Sequence, residues 1–363
     1  MKKYNRHNLG CAGDIFVHCN KIIERNDFSA WEICKKFRVV QIGTTDDPAD
    51  NLEYHRQIAV SRGKDPSLPL VMPTFRPSKA MNIEAAGFTE YVHSLCQIAN
   101  IPLHGWDDFL GILSSRIDFF HENGCRISDH ALDPPVFAGC CEGDGAAAFN
   151  KALTGQSLSQ TEIDCYKTTI MQWLGRQYSA RGWVMQLHMA AQRNNNTRMF
   201  KQLGPDTGYD SMSDASYSKA LAQILDGLDM DNSLPKTILY GLNPVSDMML
   251  ATMIGNFQGG GVRGKIQWGC PWWFNDTKLG IENHLVNLAN AGVLARFIGM
   301  LTDSRSFMSY PRHEYFRRIV AQTIAEWVNK GEFPHDEGKL RQIMEGICYN
   351  NAVEYFGLES ALA

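Results

Sequence analysis

Seven short apolar runs recur along the chain: FRVVQIGTT (37–45), LPLVMPTF (68–75), CRISDHA (125–131), WVMQLHM (183–189), KTILYGLN (236–243), GKIQWGC (264–270) and RFIGMLTD (296–303). Each is bounded mostly by glycine, proline or polar residues, as strands covered on both faces of a parallel sheet are. Segments with apolar residues at helical spacing lie between them. In GWDDFLGILSSRIDFFHENG (105–124), Trp106, Phe109, Leu110, Leu113, Ile117 and Phe120 make one stripe, and Gly124 supplies the stop. Helices are also predicted near 80–99, 159–180, 214–228, 245–257, 278–292, 312–329 and 338–356. Strands alternating with helices predict an α/β fold, either an open doubly wound sheet or a (β/α)₈ TIM-type barrel.

Polar residues decide for the barrel. They gather where the runs end: Thr44–Thr45–Asp46–Asp47, Arg76, Asp129–His130, His188, Asn243, Trp272–Trp273 and Asp303–Arg305. Barrel enzymes build their sites on that edge. No glycine-rich dinucleotide turn follows the first run, which weakens the doubly wound alternative. The expectation is one barrel domain over 1–363, with seven of eight strands present and a helical insertion over 134–182.

Composition adds mainly exclusions. The chain has 363 residues, 44 % apolar and 20 % charged, with net charge −4, so no electrostatic case exists for nucleic acid or an anionic membrane. No window approaches a membrane span, and MKKYNRHNLGCAGD does not read as a signal peptide. Ten cysteines without CxxC or zinc-finger spacing read as buried thiols of a cytoplasmic protein. GGGVRGKI (259–266) has phosphate-loop spacing, but Ile266 replaces Ser/Thr and a strand follows where a helix is required.

Asp303 is either a loop carboxylate or a site residue, and His188 either a core histidine or a ligand. Asp129, His130 and Asp133 form either a turn network or part of a site, and Arg76 is either a surface arginine or a carboxylate clamp. In a barrel these strand ends face one cavity. Histidine, aspartate and arginine together there suggest a divalent metal and an anionic substrate.

The longest polar run, LTDSRSFMSYPRHEYFRRI (301–319), closely resembles the last-strand motif of the uronate (glucuronate) isomerases of the amidohydrolase superfamily. GTTDDPAD (43–50), PTFRPSKAMNIE (73–84), GCRISDHALD (124–133), RGWVMQLHMAAQRNNN (181–196), LGPDTGYDS (203–211), PKTILYGLNP (235–244), MIGNFQGGGVRGKIQWGCPWWFND (253–276) and ICYNNAVEYFGL (347–358) follow the family in order. The resemblance implies a metal-dependent barrel, usually with zinc and without an organic cofactor. It implies interconversion of D-glucuronate with D-fructuronate and of D-galacturonate with D-tagaturonate. It places Asp303 as metal ligand and proton carrier and Arg305 at the reacting end of the sugar. Arg76 is placed at the substrate carboxylate, Trp273 beside the substrate, and His188 as a metal ligand or wall residue. A homo-oligomer is expected. Phe75, Ser78, Ala191–Gln192 and Cys270–Pro271 depart from the family pattern.

The family's first strand carries a His-x-His pair, and no such pair occurs here. The seven runs then correspond to barrel strands two to eight. The expectation is an N-terminally truncated member in which the remaining metal ligands are absent. Two alternatives stand beside the isomerase: a non-catalytic paralogue, and a metal-dependent hydrolase of the same superfamily.

Overall fold

The computed structural model describes residues 11–301 and 303–359. Helices α1 (Ala12–Ile23) and α2 (Ala30–Phe37) precede strand β1 (Gln41–Gly43), and α3 (Glu53–Lys64) leads into β2 (Leu70–Met72) and β3 (Thr74–Phe75), separated only by Pro73. Three helices, α4 (Ser78–Met81), α5 (Phe88–Ala99) and α6 (Trp106–Glu122), then reach β4 (Ile127–Leu132). Next come α7 (Glu142–Leu153), α8 (Gln160–Ala180) and β5 (Val184–Met189). A small antiparallel pair, β6 (Ala191–Gln192) and β7 (Ser211–Met212), brackets α9 (Thr197–Leu203). The described chain ends with α10 (Ser218–Asp229), β8 (Lys236–Gly241), α11 (Asp247–Asn256), β9 (Ile266–Trp268), α12 (Lys278–Ala291), α13 (Pro311–Asn329), α14 (Glu337–Glu345) and α15 (Asn351–Phe356).

β1 pairs with β2, and β3, β4, β5, β8 and β9 form a parallel ladder in that order. An Asp46–Phe75 bridge joins the two sets. Each long strand lies beside its neighbour in sequence, as in a barrel wall; a doubly wound sheet reverses its order. Behind the wall, Phe75 meets Phe120 edge-on at 5.1 Å and Tyr178 stacks on Trp183 at 5.7 Å. The predicted stripe of α6 is buried except at Leu110, which is half-buried. The helix also buries Arg116, whose guanidinium donates to the Pro48 and Asp50 carbonyls at 2.7 and 2.8 Å and so ties α6 to the loop after β1.

One predicted strand is absent. The run 296–303 forms no ladder among the described residues, so six of the seven runs are strands. Gly299 at φ +76° leaves the β region. Side chains also occupy the carbonyls that a ladder would use. Asn351 Nδ2 donates to Ala295 and Phe297 at 2.9 and 2.8 Å, and Gln267 Nε2 to Arg296 at 3.2 Å. The join between this segment and β1 is made instead by Ile33 and Cys34 of α2, buried with Tyr310 at the head of α13.

Asp247, the first residue of α11, is 6 % exposed, and burial pushes its carboxyl up to about 7. The unfolded chain ionises this group near pH 4. Folding stability therefore falls as pH rises from about 4 to about 7 and is level above that. Denaturant titration of Asp247→Asn should show a stability gain that is larger at pH 8 than at pH 5. An equal gain at both would mean that the carboxyl is not its source.

Candidate active site

The inward faces of the strands enclose a cavity of about 520 Å³. Strand alternation puts Ile127 and Asp129 of β4, and Gln186 and His188 of β5, on its wall. Thr44, Thr74, Tyr240, Trp272, Met300, Leu301 and the five residues from Asp303 to Phe307, Arg305 among them, complete much of the lining.

Asp129 is the centre of the polar wall. Its Oδ1 lies 2.7 Å from His188 Nδ1, and its Oδ2 accepts from Arg76 Nη1 at 2.8 Å. Burial alone would push this carboxyl up, but His188 and Arg76 outweigh it and hold it below the ordinary carboxylate range. An ionised carboxylate only accepts hydrogen bonds, so Nδ1 of His188 donates to Asp129, and in the neutral imidazole Nε2 is the atom that has the lone pair. The imidazole is fixed by stacking on Tyr240 (4.6 Å, 6° between planes) and by the edge of Trp272 at 4.7 Å. Gly269 makes that stack possible, because a Cβ there would lie 2.1 Å from the Tyr240 ring. A second cluster starts at Thr44, whose Oγ1 donates to Asp46 Oδ2 at 2.6 Å and lies 2.7 Å from His55 Nε2.

His130 belongs to the core. Its Nδ1 meets Met81 Sδ at 3.2 Å, and complete burial lowers its pKa to about 4, so it is neutral. Asp133 sits beyond β4, where its Oδ1 accepts from the Ala191 amide at 2.9 Å.

The rim carries the remaining predicted residues. Asp303 is exposed on the cavity wall with φ +41°. Arg305 has 84 % of its side chain exposed and lies 3.8 Å from Asp206 Oδ1. Trp273, at φ +48°, packs under Arg193, whose guanidinium carbon is 5.4 Å from the ring centre. Arg76 stands behind Asp129, and neither it nor Trp273 is part of the cavity lining. The structure thus brings His188, Asp303 and Arg305 to one cavity and Arg76 to its wall through Asp129. The sequence reading left Asp129 open between a turn network and part of a site, and did not single out Arg193, Asp206 or His55. The i, i+2 alternation from Ile127 was the available signal for Asp129.

Among the described residues no three His, Cys, Asp or Glu side chains converge to hold a metal ion. Asp303 and His188 line the cavity, and His188, oriented through Nδ1 by Asp129, has Nε2 left to ligate, but catalytic zinc takes three protein ligands and these are two. These residues do not fit a catalytic metal by themselves. No helix among the described residues is long and apolar enough to cross a membrane.

Comparison with known proteins agrees with this geometry. The sequence profile of the glucuronate isomerase family matches residues 6–356. A uronate isomerase of Caldanaerobacter subterraneus is 49 % identical over 355 residues, which cover 98 % of this chain and 76 % of that protein. One from Caldicellulosiruptor bescii is 50 % identical, covering 94 % of this chain and 73 % of that protein. The crystal structure of the Thermotoga maritima uronate isomerase superposes with a TM-score of 0.87 at 32 % identity, over 96 % of this chain and 74 % of that one. The fold is the α/β barrel that this solved uronate isomerase shares. By sequence profile, by close relatives and by fold, the chain belongs to the glucuronate isomerase family.

Proposed function

We propose that the cavity binds a hexuronate and that the Asp129–His188 pair moves the proton in its aldose–ketose isomerisation. D-glucuronate would give D-fructuronate, and D-galacturonate would give D-tagaturonate. The observation that supports this most directly is the 2.7 Å bond from His188 Nδ1 to a buried carboxylate on the cavity wall. Moving the carbonyl from C1 to C2 requires a proton to leave C2 and one to arrive at C1, with an enediol between. His188 Nε2 takes the first proton, and Asp129 stabilises the imidazolium that results. The same nitrogen returns a proton to C1, while the O2 hydroxyl gives up its proton and O1 gains one, so that a C1 alcohol and a C2 ketone result. No net redox change occurs, so no organic cofactor is needed.

Arg76 keeps Asp129 ionised, and its fork also meets the sugar's carboxylate. Arg305 supplies positive charge to the enediolate oxygens, and Asp303 holds a sugar hydroxyl on the facing wall. Trp273 flanks the sugar at the rim. Zinc is the metal that the family resemblance favours. This chain offers it Asp303 and His188, and no step above runs through it. The cavity volume lies within the range of small-molecule sites. Buried thiols at Cys34, Cys125, Cys165 and Cys270 support a cytoplasmic setting.

Incubation with D-glucuronate in D₂O, with and without added zinc, is the direct test. Proton NMR should show ketose resonances growing, and the deuterium content at C1 reports how far the shuttled proton exchanges. An unchanged aldose spectrum under both conditions would sink the assignment.

A further inference from the structure

The rim holds an ion pair that is too loose to be a brace. One oxygen of Asp206, Oδ1, lies 3.8 Å from Arg305 Nη2 and 3.9 Å from Arg193 Nη1, both beyond hydrogen-bond distance. The two arginines are not equivalent. Arg193 is held independently by Asp133 at 3.6 Å, by Asp210 at 3.8 Å and by the Trp273 ring beneath it. Arg305 rises from the cavity wall with 84 % of its side chain exposed, and Asp206 is its ion-pair partner among the described residues. If Asp206 lets go, Arg193 stays where it is and Arg305 is released.

We propose that Asp206 is a positioning residue that holds Arg305 outward at the rim and yields it to the anionic oxygens of an entering sugar acid. This rests on the substrate role assigned to Arg305 above. A carboxylate or enediolate that takes the guanidinium fork through two parallel hydrogen bonds outcompetes a single oxygen at 3.8 Å. Asp206 therefore works against substrate binding in the open state. The exposed pair is weak, which suits a contact broken on every turnover. Asp206 itself, at φ +60° in the loop between α9 and β7, keeps Arg193 as a second cationic neighbour when Arg305 leaves.

Steady-state kinetics with D-glucuronate test this. Asp206→Asn should lower KM by roughly two- to five-fold, the scale of an exposed ion pair, without raising kcat. Asp206→Glu should restore the wild-type KM. Because salt screens exposed pairs, the ratio of wild-type to D206N KM should fall towards one as ionic strength rises. The same change in KM for D206N in wild-type and Arg305→Met backgrounds would overturn the proposal, as would no change in either. If R305M alone leaves KM and kcat untouched, the failure lies with the substrate role of Arg305. If R305M raises KM but D206N still acts without it, the failure lies with Asp206.

Discussion

Replacing Asp129 by asparagine is expected to lower kcat by roughly 10²–10⁴-fold, the usual value of a general base, while KM moves only a few-fold. Two donors converge on this carboxylate, Arg76 Nη1 at 2.8 Å and His188 Nδ1–H at 2.7 Å. An asparagine has one oxygen to offer. If that oxygen faces His188, the amide NH₂ faces the guanidinium, donor against donor. If the amide turns over, its NH₂ faces Nδ1 and forces the imidazole proton onto Nε2, so that no base remains at the cavity. In both orientations the negative charge that stabilises the imidazolium is gone. The variant should still fold, because size and burial are kept. A pH profile of kcat for wild type and D129N, with circular dichroism as the folding control, would decide. Wild-type turnover in a folded D129N enzyme would remove the pair from the mechanism.

Gly299→Ala should be the most damaging small change to stability, at roughly 2–5 kcal/mol. The estimate sums a left-handed backbone forced on a residue with a Cβ, about 1–2 kcal/mol, and an overpacked contact, about 1–3 kcal/mol. Gly299 has φ +76°, and a Cβ there would lie 2.2 Å from the carbonyl oxygen of Ile347. That oxygen belongs to the π-helical turn Gly346–Asn350, whose backbone is locked between α14 and α15 and cannot retreat as a side chain could. Thermal melts should show a fall of several degrees or more. Because Met300, Leu301 and Asp303 continue directly into the cavity wall, KM for the uronate should rise too. A variant melting within a degree of wild type would mean that this segment can relax away from the turn.

The elements with strong periodicity were legible. The stripe from Trp106 to Phe120 became α6, and the helix predicted near 159–180 became α8. The strand ends pointed to the right edge of the barrel, since His188, Asp303 and Arg305 do line one cavity. The run 296–303 was misread because composition reports apolarity and cannot report hydrogen-bond partners. Its carbonyls are taken by Asn351 and Gln267, far away in sequence. Asp129 was undervalued for a related reason. Its meaning lies in Arg76 and His188, 53 and 59 residues distant, and a linear reading saw only Ser128 and His130 beside it. Motif resemblance carried the family further than periodicity did. It assigned Arg76 to the substrate carboxylate, while the structure shows that arginine already holding Asp129.

The join between α2 and Tyr310 has a mechanical meaning. A backbone ladder locks two walls in increments of a whole residue, because its hydrogen bonds exist at one register or the next. Interdigitated side chains have no such increments, so at Ile33, Cys34 and Tyr310 the spacing of the packed elements follows the volume of the side chains between them. The width of the chamber is thus a graded quantity, set by the volumes of Ile33 and Cys34 behind the wall and of Tyr310 on it. Trimming Ile33 to valine would widen or loosen the mouth by degrees, and evolution could tune the fit of one sugar epimer over another there without touching a residue that meets the substrate.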